Sequence, residues 1–333
     1  MATIKEIARL TGLSVGTVSN VINDVNTVSE KNRIKILETI KNLDYTPSRI
    51  ARSLSKKSTK NVAFIIPDIT NPFFPEIVRG AQDLLAKKGY YVFLCNSDND
   101  PEKEESYIYD LISMWVDGMI IAPSDSDYRN LDVFSRVTSP LIIVDREIEE
   151  LKRDLVIVNN KKGSYEMVNF LVGNGHKNIV ALMGPEHVRT AQKRHEGWEK
   201  AVSENGLFSD GLVEWGSFSI DSGYEMARKM LDKVGGFDAI FAGNDLIAIG
   251  AIQLLEEKGY RVPDDISVAG FDDIYISRLM KPPLTTVRQP IYQIGKVAAE
   301  LLLERMSSTE QSEPKRIVVD GELIIRGSVE ERK

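Results

Sequence analysis

The 333-residue chain is poor in the groups that carry metal and redox chemistry, with one cysteine and three histidines. A lone Cys95 excludes an intrachain disulfide, and its apolar neighbours in YYVFLCNSD predict a buried strand residue rather than a reactive thiol. His176, His187 and His195 lack close ligand spacing, so no zinc set is expected and no cofactor is implied. Neither phosphate-cradling glycine pattern, the P-loop or G-x-G-x-x-G, is present. No apolar run reaches the roughly 18 residues of a membrane span. The opening ATIKEIARLTG also lacks the apolar core of a signal peptide, which points to a soluble cytoplasmic protein.

What is present is a chain long enough for more than one domain, with 42% apolar residues to build cores. Its net charge of −7 is unevenly spread. Residues 1–60 hold 11 Lys and Arg against 5 Asp and Glu, a balance of +6 that leaves −13 for the rest. A basic head on an acidic body fits a nucleic-acid module, because phosphate neutralisation supplies most nonspecific affinity, and fits equally a solvated basic helix face.

The head reads as three short helices. Ile4, Ile7, Ala8 and Leu10 recur at helical spacing behind Thr3, with Glu6 three residues on in a capping-box pattern, and Gly12 ends the helix. Ser14 caps a second helix whose stripe is Val15, Val18, Val21 and Ile22, so the tight TGLS turn predicts a helix-turn-helix. A third helix, capped by Ser29, is expected to bury Ile34, Leu37, Ile40 and Leu43 and to stop before Pro47. Residues 47–60, PSRIARSLSKKSTK, read as a linker with one helical turn.

From Asn61 the pattern alternates strand and helix. The runs VAFIIP, YYVFLC, DGMIIAP, PLIIVD, LVIV, NIVALMG, DAIFAGND and ISVAGFDD are separated by amphipathic stretches such as PFFPEIVRGAQDLLAKKG. The fold class expected is an all-α helix-turn-helix headpiece followed by an α/β body of two doubly wound lobes with mainly parallel strands. GLSVG matches the nucleophile-elbow pattern G-x-S-x-G, but that elbow requires a buried strand entering the turn and here a polar helix enters it. Ser14 is therefore read as a helix cap, and no enzyme is expected.

The segments TIKEIARLTGLSVGTVSNVIN, LDYTPSRIARSL, DITNPFFPEIVRGA, DGMIIAP, FAGNDLIAIGA, ISVAGFDDI and PPLTTVRQP together resemble the lac repressor/galactose repressor family, most closely its ribose-repressor-like subgroup. They follow the family's order across nearly the whole chain. The resemblance implies a homodimeric transcriptional regulator, with a DNA-binding headpiece over 1–46, a hinge helix and linker over 47–60, and an effector and dimerisation domain over 61–333. Within that domain, lobe 1 would take about 61–157 plus 288–318, and lobe 2 about 158–287 plus 319–333. It also implies a body similar to type I periplasmic sugar-binding proteins.

On the same grounds the second helix would enter the major groove, with Val15, Gly16 and Asn20 at base-reading positions and Thr17 and Ser19 on phosphates. Thr3, Ser14, Asn23 and Tyr45 complete the DNA-facing set. Gly16 and Asn20 depart from the longer side chains that many relatives carry there. Leu54 of the hinge would wedge into a base step, with Ala51 against the groove floor.

A sugar needs polar groups for its hydroxyls and aromatic faces for its C–H surfaces. Asn71, Phe73, Phe74, Asp145, Arg146, Asn244 and Asp272 follow apolar strands, where open α/β sheets place ligands and where helix caps are equally at home. With Arg194 and Gln289, these match the family's cleft positions, and the set looks most like its ribose-binding members. Asp245 is read as the cap of the following helix. Gln192 stands where many relatives carry an additional Arg, which weakens the case for an anionic ligand. Ribose or a related pentose is the expected effector. A phosphorylated carrier protein is the alternative partner, as in catabolite-control relatives.

Overall fold

The computed structural model describes residues 2–23, 25–45, 58–125, 131–207, 211–234, 236–308 and 312–332. The chain divides after Lys60 into two compact units. Ala51 and Leu54 lie outside the described residues, as does Pro47.

The first unit packs α1 (Ile4–Thr11), α2 (Val15–Ile22) and α3 (Glu30–Asn42) around one small core. Local chemistry sets the boundaries. Thr3 Oγ1 accepts the Glu6 N–H at 3.3 Å, and Ser14 Oγ accepts the Thr17 N–H at 3.1 Å, each satisfying a donor that the first turn leaves unpaired. Between them Gly12 takes φ 68°, a left-handed conformation that costs a residue without Cβ little, and this reverses the chain between the two helices. The buried set is Ile7, Ala8, Val18, Val21 and Ile36. Leu10, Ile34 and Leu37, expected inside, are about half exposed. In α3 the inward face runs through Ile36, Ile40 and Leu43, so Ile34 falls on the opposite side of the helix and Leu37 on its flank.

The second unit contains two six-stranded sheets. The first has the order β11-β5-β4-β3-β1-β2, from β1 (Asn61–Ile66), β2 (Tyr91–Asn96), β3 (Gly118–Ile121), β4 (Leu141–Val144), β5 (Asp154–Val158) and β11 (Arg316–Val319). The second has the order β12-β10-β9-β8-β6-β7, from β6 (Ile179–Met183), β7 (Val213–Trp215), β8 (Ala239–Ala242), β9 (Ser267–Asp272), β10 (Thr285–Arg288) and β12 (Glu322–Ile324). All pairings are parallel except β10 with β12. In β1, Val62, Phe64 and Ile66 face one core while Ala63 and Ile65 face another, which is why the strand reads as an unbroken apolar run.

Helices α4 (Phe73–Lys87) and α11 (Ile291–Ser307) cover one face of the first sheet, and α5 (Pro101–Ser113) with α6 (Asp132–Ser135) the other. Around the second sheet lie α7 (Asn160–Gly173), α8 (Arg189–Glu204), α9 (Ile220–Lys233) and α10 (Asp245–Glu257). The edge strand β2 corrects one expectation. Tyr91, Phe93 and Leu94 are exposed there, and Cys95 is half-buried rather than enclosed, because among the described residues no strand pairs with the outer side of β2.

The chain passes between the two lobes three times, at Asn159–Asn160, Gln289–Pro290 and Asp320–Gly321. Gly321 is required at the last crossing, since a Cβ there would come within 2.8 Å of Val287 Cγ1 and 3.0 Å of the Arg288 carbonyl.

Candidate functional site

In the first unit the turn of α2 separates two faces. Val18 and Val21 point into the core, while Val15 (43% exposed), Gly16 and Asn20 lie exposed along the other side. Val15 is thus not a core residue of the head. Thr17 and Ser19 are half-buried beside them, with Thr17 Oγ1 2.9 Å from Ser14 Oγ. The ends of this face are tied down locally. Asn20 Nδ2 donates to Thr27 Oγ1 at 3.2 Å and Asn23 Nδ2 to Ser19 Oγ at 3.3 Å. Tyr45 packs against the core from the far end of α3.

In the second unit the strand ends of both lobes supply buried charges. Asp145 follows β4 with φ 63°, and Asp272 closes β9 with φ 116°; both backbones lie at positive φ, a conformation held only where surrounding structure enforces it. Arg146 is 2% exposed and spends one nitrogen on Asn99 Oδ1 and on the carbonyls of Pro123 and Ser124, at 3.2, 3.1 and 2.8 Å. Its Nε lies 3.9 Å from Asp145 Oδ2, and its guanidinium sits 5.6 Å from the Phe74 ring centre. Phe74 meets Phe73 edge to face with ring centres 5.2 Å apart.

Across from this set, Arg194 stacks 3.9 Å over Phe271 and pairs with Asp272 at 3.3 Å. It also donates from Nε to Asn160 Oδ1 at 2.8 Å and from Nη1 to the Gly243 carbonyl. Gln289 Nε2 donates to Asp272 Oδ1 at 2.6 Å. Burial pushes both carboxyls up. For Asp145 it is opposed by Arg146 and Arg194, and Asp272 rises to about 8 despite Arg194 and the Gln289 hydrogen bond. Burial likewise lowers Arg146. Because Arg194 acts on Asp145 as well as on Asp272, the two pairs form one electrostatic group. Two cations and two carboxylates sum to no net charge when all are ionised. Two polar atoms of this group, Arg146 Nε and Gln289 Oε1, are buried without a hydrogen-bond partner.

Asn71 and Asn244 are placed differently. Asn71 Oδ1 accepts the Phe73 N–H at 3.1 Å, and Asn244 caps α10 by accepting the Ile247 N–H at 2.9 Å. Asp245, expected as that cap, is instead the first residue of α10 and fully buried. It accepts from the Ile274 N–H, Ser277 and Thr286, at 3.0, 2.5 and 2.6 Å, and burial raises its carboxyl to about 6. A cleft between the lobes is lined by Asp145 together with Val158, Asn160, Arg189, Thr190 and Arg316; of the nine expected effector residues, Asp145 alone is among its lining. Asn160, Thr190 and the half-buried Phe218, 5.8 Å from Arg194, were missed in the sequence. Asn160 was within reach, because it stands two residues after LVIV as Arg146 stands two after PLIIV. Phe218 sits in the irregular segment between β7 and α9, where no periodicity marks it. Among the described residues no cluster of metal-binding side chains occurs and no helix is long and apolar enough to cross a membrane.

Comparison with known proteins covers both units. The model of periplasmic binding proteins and sugar binding domain of LacI family matches residues 59–326, and that of bacterial regulatory proteins, lacI family, matches residues 3–48. The HTH-type transcriptional repressor PurR of Histophilus somni (strain 129Pt) is 38% identical over 332 residues, 99% of each chain. The lac repressor dimer bound to operator and the anti-inducer ONPF superposes with a TM-score of 0.88 at 26% identity, covering 99% of each chain. A LacI family regulator from Enterococcus faecium with bound ribose gives 0.73 at 30% identity, over 82% of this chain and 100% of that one.

Proposed function

The chain belongs to the LacI family of DNA-binding transcriptional regulators, and from that premise we propose a homodimeric repressor whose body takes an uncharged, hydroxyl-rich effector, with ribose or a related pentose first among candidates. One observation carries the ligand class. Arg146 Nε needs an acceptor and Gln289 Oε1 needs a donor, inside one buried group of interacting charges. A hydroxyl is both donor and acceptor, so a sugar can meet both needs without adding charge. Of the cations lining the cleft, Arg189 and Arg316 pair with Glu149 and Glu147 and Lys161 and Lys193 share Glu196, so a phosphorylated ligand would meet one uncompensated positive charge rather than a cluster. The ribose-bound relative supports the pentose. A planar heterocycle is the second reading, favoured by the rings of Phe73, Phe74 and Phe218 around the same charges.

For the DNA half, the exposed face of α2 is read as the groove-facing one. Val15, Gly16 and Asn20 reach base edges, Thr17 and Ser19 reach phosphates, and Thr3, Ser14, Asn23 and Tyr45 flank them. Leu54 and Ala51 act in the minor groove. Exposed Phe93 and Leu94 on β2, with Tyr275 and Leu279 beyond β9, support a second copy of the chain as partner. Ligand between the lobes shifts the DNA-competent population only by its differential affinity for that state.

The decisive experiment is a gel shift on the DNA upstream of the chain's own gene, with pentoses, nucleobases and a phosphorylated carrier protein as separate arms. A pentose response carries the main reading, a nucleobase response the second, and a response to the carrier alone removes both. Calorimetry with ribose on wild type and Asp272→Ala tests the cleft. Loss of binding with unchanged circular dichroism is expected, and equal binding removes Asp272 from the site. Leu54→Ala is expected to weaken DNA retention strongly while ribose affinity stays as it was.

A further inference from the structure

The loop between β4 and β5 is held firmly to its lobe. Ile148 is buried in that lobe's core, Leu151 N–H donates to the Ile148 carbonyl at 3.1 Å, and Arg316 of β11 grips the Glu147 carboxylate. The next side chain, Glu149, leaves this platform and pairs with Arg189 Nη2. Arg189 belongs to the other lobe, where it opens α8 between buried Val188 and Thr190. Its Nη1 donates to Gln192 Oε1 at 3.0 Å, and Gln192 Nε2 in turn donates to the Glu186 carbonyl at 2.8 Å. Gln192 is thus committed to aiming Arg189.

Both ends of the Glu149–Arg189 pair are anchored in different lobes, so neither can follow the other when the lobes part. Arg189 lines the cleft together with Asp145 and Thr190. We infer that Glu149 and Arg189 form a latch across the cleft, made only in the closed arrangement, with Gln192 as its positioning residue, and that it slows effector release. The inference rests on the cleft being the effector site. Glu149 is 59% and Arg189 30% exposed, so the latch is modest and screened by salt, unlike the enclosed Arg194–Asp272 pair. It acts as a trim on closure rather than its cause.

The test uses the full chain without ligand. Hydrogen exchange is followed over residues 147–151 and 186–192 in wild type, Arg189→Glu, Glu149→Arg and the double reversal. Each single reversal is expected to speed exchange in both segments by about two- to fivefold, and the double reversal to restore it. Gln192→Ala moves both segments the same way by less, and 0.5 M salt on the wild type mimics a single reversal. Faster exchange confined to the substituted segment, or no recovery in the double reversal, overturns the latch. Ribose serves as the probe for release, with dissociation expected to quicken in each single reversal and recover in the double. Unchanged release rates across the four proteins overturn its role in retention. If wild type binds no ribose, the pentose reading fails alone, and the exchange pattern still decides the latch.

Discussion

In the headpiece five buried apolar residues leave Val15, Gly16 and Asn20 at the surface, whereas in the body Asp145, Arg146, Arg194, Asp272 and Gln289 are all 7% exposed or less. The two regions solve opposite contact problems. DNA keeps most of its water and meets a protein surface from outside, so a reading residue can be exposed and structurally idle. A small effector must be stripped of water, so each group that grips it is already desolvated and has to be held by its neighbours in the meantime. Changing a reading residue should therefore leave stability alone, while changing a gripping residue should shift stability, in either direction, as well as binding.

The largest expected effect sharpens the contrast in core size. Ile36→Ala removes the one fully buried side chain that α3 contributes, at about 2–5 kcal/mol, which a domain of this size can hardly spare. Hydrogen exchange should show protection lost over residues 4–42 and kept in the body's strands; loss in both would break the division into independent units.

A pH-dependent effect of comparable size follows from the buried carboxyls. Asp272 is raised to about 8 in the folded protein, so its ionisation weakens the fold progressively between its ordinary range near pH 4 and pH 8. Asp272→Asn removes that cost. Relative to wild type, the variant should gain up to about 4 kcal/mol as pH climbs through this window, read from urea unfolding at pH 4.5, 6 and 8. A pH-independent difference would mean that the carboxyl is not perturbed by its burial.

On a smaller scale, Ser14→Ala deletes the acceptor for the Thr17 N–H and should cost the headpiece about 1 kcal/mol in thermal unfolding. Val15→Ala should move headpiece stability by less than about 0.5 kcal/mol and still weaken operator binding in a gel shift. A stability loss at Val15 matching that at Ser14 would blur the distinction between reading and building residues.

Much of this arrangement was legible in the residues. The strands of both lobes announce themselves as apolar runs because both faces of each sheet are covered, and the strand-end rule leads to Asp145, Arg146 and Asp272. Where pattern failed, tertiary context had decided. In α3 two apolar stripes compete and only the one through Ile36 meets the other helices, which helical spacing alone cannot choose. Asn244 and Asp245 are both good caps; the choice fell to Asn244 because Ser277, Thr286 and the Ile274 amide converge on its neighbour from distant parts of the chain. Cys95 looked enclosed because its run is apolar, but strand order puts that run at a sheet edge.

The three crossings between the lobes also govern when the molecule becomes complete. The first sheet receives β11 only at residues 316–319 and the second receives β12 only at 322–324, while all three helices of the headpiece end by residue 42. During synthesis the first unit can therefore form early, with the two lobes finished only once residues 316–324 have emerged. A chain stopped short of residue 316 would carry a whole headpiece and two lobes each missing an edge strand, a DNA-binding fragment that no effector could govern.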